Sequence, residues 1–314
     1  MKNELVVKDN VLINASYNLE VTEQRLILLA IINARETGNG ITSDSKLEIH
    51  ASEYANRFDV SNEGAYWALK NAVLNLFERQ FSFKEEDKKG NLGTVKSRWV
   101  SRIKYIDATA TLEITFAPDV VPLITRLEQH FTSYQLKQVT QLKSKYAIRL
   151  YELLIAWREV GKVPQIDLLE FRHKLGIESD EYIRMSDFKI RVLEQSIKQI
   201  NEHTDITVTY EQHKKGRNIS GFSFKFKQKQ QPKLEKPIDP KRDPNTPDFF
   251  IKMTDSQRHL FANKMSEMPE MSKYSQGTES YQQFAVRIAE MLLQPEKFRE
   301  LYPLLEKVGF KNEK

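Results

Sequence analysis

Apolar positions recur at helical spacing in residues 22–36, TEQRLILLAIINARE, where Leu26, Leu29, Ala30 and Asn33 share a face. Residues 144–160, SKYAIRLYELLIAWREV, repeat the pattern with Ile148, Tyr151, Leu154 and Ile155. A short strand-like stretch follows each helix: LEIH (Leu47–His50) and VPQI (Val163–Ile166). A short helix comes next, Ser52–Phe58 in one case and Asp167–Leu175 in the other, where Asp167 and Glu170 have the form of a capping box. Longer helices follow, over residues 62–78 and 186–203. The period then changes to two. Strands are predicted over residues 80–84, 95–106 and 111–116 in the first half. In the second half, Ile206, Val208 and Tyr210, and then Phe222, Phe224 and Phe226, alternate with polar residues on either side of Lys214-Lys215-Gly216-Arg217-Asn218. That is a hairpin with one apolar face per strand.

Helix, short strand, helix, helix, hairpin is the order of a winged-helix domain, and it occurs twice at an offset of roughly 120 residues. The expected fold class is therefore α+β, with two tandem winged-helix domains over residues 1–136 and 137–228. Residues 229–248 carry prolines and lysines with few apolar positions and read as a linker. Residues 249–314 return to helical patterning as a small third region to which the sequence assigns no task.

Within the helix of residues 186–203, Leu193, Ile197 and Ile200 form the expected buried stripe, with Lys189 at its border. Arg191, Gln195, Lys198 and Glu202 fall on the opposite side. Arg and Lys can pair with guanine and Gln with adenine from a helix in the major groove. Lys189 and Arg191 near the helix start suggest a phosphate at the positive end of the helix dipole. The hairpin tip gathers Lys214, Lys215 and Arg217 around Gly216, which supplies the backbone freedom of a tight turn, so the tip is placed to meet phosphates flanking the groove. The first half is less explicit. Leu69, Val73, Leu76 and Phe77 are its expected buried stripe, Asn71 lies on the open face with Lys70 at the edge, and Lys96, Arg98 and Arg102 on the strands that follow are placed to supply phosphate contacts.

Composition sharpens this picture. Lys and Arg number 16 against 18 Asp and Glu up to Leu136, but 18 against 12 from Lys137 to Gln230. The basic excess belongs to the segment that holds the hairpin, which is the electrostatic footprint of a polyanionic partner. There are no cysteines, which removes disulfides, thiolate zinc sites and cysteine nucleophiles together. No long apolar run or secretory leader is seen, so a cytoplasmic protein without membrane contact is expected. No phosphate-binding loop, His-x-His pair or His-Glu-x-x-His motif is present. Tyr146 and Tyr151 read as core residues. The expectation is a protein without enzymatic activity, cofactor or metal.

Three stretches carry a resemblance: FTSYQLKQVTQLKSKYAIRLYELL (Phe131–Leu154), EYIRMSDFKIRVLEQSIKQIN (Glu181–Asn201) and KKGRNISGFSF (Lys214–Phe224). In order and spacing, and together with VLINASYNLEVTEQRLI near the start, they resemble the plasmid replication initiators of the Rep_3 superfamily, the iteron-binding Rep proteins of theta-replicating plasmids. The resemblance covers about residues 11–227. It implies that the second domain reads DNA, while the first mediates dimerisation and gives accessory DNA contact. It implies that monomers bind directly repeated origin sequences and promote opening and helicase loading, and that dimers bind an operator and repress the initiator's own gene. Double-stranded DNA, a host initiator protein, a replicative helicase, chaperones and a second copy of the chain in monomer–dimer equilibrium are the implied partners. The family's basic run maps to Lys189 and Arg191, with Ile190 where relatives often carry a third cation. The turn motif maps to Lys214, Lys215, Gly216 and Arg217. A plain winged-helix transcriptional repressor is the alternative, marked by a lone palindrome in place of direct repeats.

Overall fold

The computed structural model describes residues 4–36, 41–125, 131–229, 253, 255–275 and 280–310. Strand β1 (Leu5–Asp9), helix α1 (Asn10–Asn14) and strand β2 (Ser16–Tyr17) open the chain, ahead of helix α2 (Val21–Glu36). Strand β3 (Leu47–His50) and helices α3 (Ala51–Phe58) and α4 (Asn62–Asn75) follow. Ser61 caps α4 by accepting from the Gly64 N–H. Two hairpins come next, β4 (Gln80–Glu86) with β5 (Leu92–Arg98), and β6 (Val100–Ile106) with β7 (Thr111–Phe116). Helix α5 (Val120–Thr125) and strand β8 (Phe131–Gln135) complete this half, with β8 antiparallel to β1.

The second half runs through helix α6 (Lys145–Ile155), strand β9 (Lys162–Asp167) and helix α7 (Leu168–Lys174). The long helix α8 spans residues 185–203 and leads into strands β10 (Ile206–Lys215) and β11 (Asn218–Gln228). Asp167 caps α7 through the N–H groups of Leu169 and Glu170. Both halves close in the same way. The strand preceding the two helices pairs with the second strand of the hairpin, giving the orders β3-β7-β6 and β9-β11-β10.

That correspondence corrects the expected strand over residues 95–106. It is two strands, broken at Trp99, whose N–H donates to the Arg79 carbonyl beside β4 while its carbonyl accepts from the Ala117 N–H beyond β7, so the chain changes sheet there. Trp99 packs edge-on to Tyr17 at 4.9 Å and against Phe81 at 5.0 Å. The counterpart of the second half's hairpin is therefore β6–β7. The β4–β5 hairpin is an insertion that pairs with β2 through Ser16–Ser82 and Tyr17–Phe81.

Helix α6 ends at Ile155 rather than residue 160, and every residue from Tyr146 to Ile155 is buried. This includes Arg149 and Glu152, which sit where the halves meet. Glu152 Oε1 accepts from Lys8 Nζ at 2.6 Å and Tyr134 Oη at 2.7 Å, and Oε2 accepts from Arg149 Nη1 at 2.7 Å and Tyr17 Oη at 3.1 Å. Arg149 Nη2 donates to the carbonyls of Ile13, Ala15 and Lys174, so one guanidinium joins both halves. Gly176 permits the same approach: φ is +69°, and a Cβ there would lie 1.9 Å from the Tyr17 carbonyl oxygen.

Helices α9 (Asp255–Ser266), α10 (Tyr281–Met291) and α11 (Pro295–Lys307) form a third unit. Its separate core contains Met265, Met271, Ile288, Phe298, Leu301 and Leu305. The His259 ring meets Phe131 on β8 edge-to-face at 4.8 Å. Apart from Lys229, the expected linker of residues 229–248 lies outside the described residues.

Candidate nucleic-acid interface

Helix α8 is regular at both ends and takes a wider π turn over Phe188–Glu194. Phe188, Val192, Leu193, Ser196 and Ile200 are buried. Ile197, expected inside, is only partly so, because the π segment brings Phe188 and the adjacent pair Val192 and Leu193 inward. Phe188 packs against Phe171 and Phe222 with centroids 6.1 and 6.0 Å apart. Three polar anchors fix the helix. Gln199 Oε1 accepts from the backbone N–H groups of Lys143 at 2.7 Å and Ser144 at 3.2 Å. Asn201 bonds both backbone groups of Val208. Arg172 holds the preceding turn through the carbonyls of Glu181 and Tyr182 and lies 5.4 Å over the Phe188 ring.

With that face fixed, Arg191, Gln195 and Lys198 are exposed together, alongside Ile190, Glu194 and Glu202. Lys189 is half-buried and donates to Gln212 Oε1 on β10 at 3.2 Å, which ties the helix to the hairpin. Glu194 accepts from Tyr210 Oη at 3.2 Å on the same strand. The helix dipole gives the expected phosphate at the helix start little help. The helix begins at Met185, so Arg191 stands beyond its first turn, where the dipole has faded.

The β10–β11 hairpin turns through Gly216 and Arg217, with Lys215 opposite Asn218. Gly216 has φ +66° and Arg217 is not in the left-handed region, as in a type II′ turn. Lys214, Lys215, Gly216 and Arg217 are all exposed. Beneath them Val208 pairs with Phe226, Tyr210 with Phe224 and Gln212 with Phe222, so the apolar faces seat the hairpin on α7 and α8.

The first half is arranged differently. Asn71 is exposed on α4, but Lys70 Nζ donates to Asp107 Oδ1 at 3.0 Å and to Tyr66 Oη at 3.2 Å. Asp107 lies at the turn of β6–β7, so this hairpin tip presents a carboxylate. Hydrogen bonds from Lys70 and then Tyr66 hold that carboxyl below its ordinary range, and Asp107 in turn raises Lys70. Arg98 donates to the Phe77 carbonyl at 2.6 Å and to Glu78 at 3.0 Å, closing the end of the preceding helix. Lys96 is exposed, but on the inserted hairpin rather than on the strand pair that corresponds to β10–β11. Phe77 is exposed and not part of the buried stripe, where Ala65, Leu69, Ala72 and Leu76 lie. Trp67 and Leu74, unremarked in the sequence, are exposed on the open side of α4. The Tyr66 and Lys70 pair is legible at helical spacing, but Asp107 is brought to it only by the fold. Among the described residues no three His, Cys, Asp or Glu side chains gather as a metal site.

Residues 5–155 match the family described as Initiator Replication protein, WH1, and residues 167–226 match Initiator Rep protein, WH2. The chain belongs to the plasmid replication initiator family. An Escherichia coli replication initiation protein is 26% identical to this initiator over 230 residues, covering 71% of this chain and 69% of the relative. The initiator shares its fold with the Pi initiator protein, solved in complex with iteron DNA. That structure has a TM-score of 0.55 and 22% identity, covering 74% of this chain and 100% of that chain. The WH1 domain of MSBI1.176, a replication protein isolated from a multiple sclerosis patient, is 61% identical. It covers 38% of this initiator and 91% of that chain, with a TM-score of 0.34. Among the described residues of the initiator, no helix is long and apolar enough to cross a membrane.

Proposed function

We propose that the initiator binds directly repeated double-stranded DNA at a replication origin, chiefly through its second winged helix. Arg191, Gln195 and Lys198 read base edges in the major groove. Lys214, Lys215 and Arg217 of the wing hold the flanking phosphates, and Lys189 braces the two elements through Gln212. The observation that carries this reading is the pairing of an exposed Arg-Gln-Lys face with a hairpin tip of three exposed cations on one rigid unit. The iteron DNA complex of Pi supports it by likeness of fold. The first winged helix, with Asn71, Lys70, Lys96 and Arg98 as its candidate contacts, plays the accessory part. Lys96 and Asn71 are the more available of the four, since Lys70 and Arg98 are engaged by Asp107 and Glu78.

In this reading the protein acts in the cytoplasm without catalysing a reaction. Monomers on the repeats promote opening and deliver a replicative helicase with the help of a host initiator and chaperones. Dimers joined through the first domain repress the initiator's own promoter. Domain limits near residues 136 and 228 belong to the same proposal. Footprinting the full chain on DNA flanking its gene tests it. Protection of several direct repeats beside an AT-rich stretch is expected. Protection of a lone promoter palindrome points instead to a repressor without a replication role, and no protection at any site overturns DNA reading altogether.

A further inference from the structure

Ile190 is 62% exposed on α8, within the run of exposed residues that includes Arg191 and Gln195, while Phe188, Val192 and Leu193 around it on the helix are fully buried. Among the described residues, Ile190 is not one of those that pack against the core. A β-branched side chain is a poorer helix former than Ala, Leu, Lys or Arg, and at this exposure it holds much of its apolar surface in water. Its surroundings are nevertheless well fixed. Lys189 is bonded to Gln212, Glu194 to Tyr210, and the backbone beneath is packed through Phe188. Ile190 also lies in the N-terminal half of the helix, the part that reaches base edges when such a helix enters the major groove. Among the groups displayed in that groove, the one apolar feature is the C5-methyl of thymine.

We infer that Ile190 is a specificity-determining residue that packs on a thymine methyl group in the DNA repeat. The inference rests on the DNA-reading role proposed above and deepens it: it assigns one base of the repeat to a side chain that makes no hydrogen bond. Arg191 and Gln195 select by donor and acceptor pattern. Ile190 selects thymine over cytosine by the presence of a methyl group, and it offers nothing to the polar edges of a purine.

The test uses the full chain and the repeat found by footprinting, with each thymine replaced in turn by deoxyuridine, which removes only the methyl group. Affinities are measured for the native protein, for Ile190→Ala, and for Ile183→Ala, which trims a side chain even more open to solvent but outside α8. One thymine is expected whose replacement weakens the native protein and Ile183→Ala about fourfold, the factor for burying one methyl-sized group. Ile190→Ala should bind the two DNAs equally. Thermal unfolding confirms that the Ile190→Ala protein is folded. If every deoxyuridine replacement acts equally on the native and Ile190→Ala proteins, Ile190 reads no methyl group, and the wider DNA-binding role stands. If the native protein protects no DNA at all, both readings fall together.

Discussion

Replacing Glu152 by Gln keeps the shape of the junction and removes its one negative charge. In the native protein four donors converge on this carboxylate, among them the Lys8 ammonium and the Arg149 guanidinium. Lys8 and Arg149 are 3% and 1% exposed, so neither can turn to water without opening the interface. Removing one partner of a buried ion pair costs ~3–5 kcal/mol, a large share of the ~5–15 kcal/mol that holds a domain folded. At ~2–4 °C per kcal/mol for a unit of this size, the melting temperature of Glu152→Gln should fall by about 6–20 °C. Adding Lys8→Met removes the stranded ammonium and should recover part of the loss, with a coupling of at least ~2 kcal/mol in the double-mutant cycle. Acid gives a second readout. Burial by itself would raise the Glu152 carboxyl, but Lys8, Arg149 and the hydrogen bonds they and Tyr134 supply outweigh it and hold the pKa at about 2. A folded-state value below the ordinary 4.5 makes this contribution complete above pH 4.5, and it is lost as the pH falls from there towards 2. The Glu152→Gln protein should lack that part of the acid limb. A loss under ~1 kcal/mol, or no coupling to Lys8, would refute the claim that this cluster locks the halves together.

Three substitutions bear on the interface. Arg191→Ala should weaken the cognate repeat by ~1–3 kcal/mol and relax selectivity, and equal weakening on scrambled DNA would remove Arg191 from base reading. Lys215→Ala should weaken all sequences alike and lower the slope of log affinity against log salt by about one, so an unchanged slope takes the wing off the backbone. Asp107→Asn releases Lys70 from its carboxylate. If α4 lies against DNA, the salt slope should steepen by about one, and an unchanged slope leaves Lys70 outside the interface.

The second winged helix was legible because its signals are local. The period-two alternation of Val208, Tyr210, Phe222 and Phe224, the glycine at the turn and the run of cations all lie within a short stretch of chain. The exposed set Arg191, Gln195 and Lys198 followed from helical spacing, even though the π turn moved the buried stripe, because the far side of a packed helix stays far from the core. What was not legible depends on pairing at long range. Nothing near residues 95–106 says that β4–β5 joins β2 while β6–β7 joins β3; Trp99 marks the break only once its partners Tyr17 and Phe81 are in place. Lys8 and Glu152 are 144 residues apart, and in the sequence each looks like an ordinary surface charge.

The same long-range pairing explains why the two halves carry different charge at their hairpin tips despite one topology. Once β6–β7 is identified as the first half's wing, its tip can be set beside that of β10–β11. One presents Asp107 and draws in the helix's own Lys70, and the other presents Lys214, Lys215 and Arg217 to solvent. A phosphate approaching the first tip must displace an internal ion pair and meets a carboxylate. A phosphate approaching the second would meet three cations for which no side-chain partner is found among the described residues, with gains that follow counterion release. α4 likewise turns Trp67 and Leu74 outward, where α8 offers Arg191, Gln195 and Lys198. Duplicated architecture therefore does not imply duplicated electrostatics. The asymmetry arises from which side chains each tip pairs among the described residues, and Arg149, which bonds carbonyls in both halves, joins the two units that carry these tips.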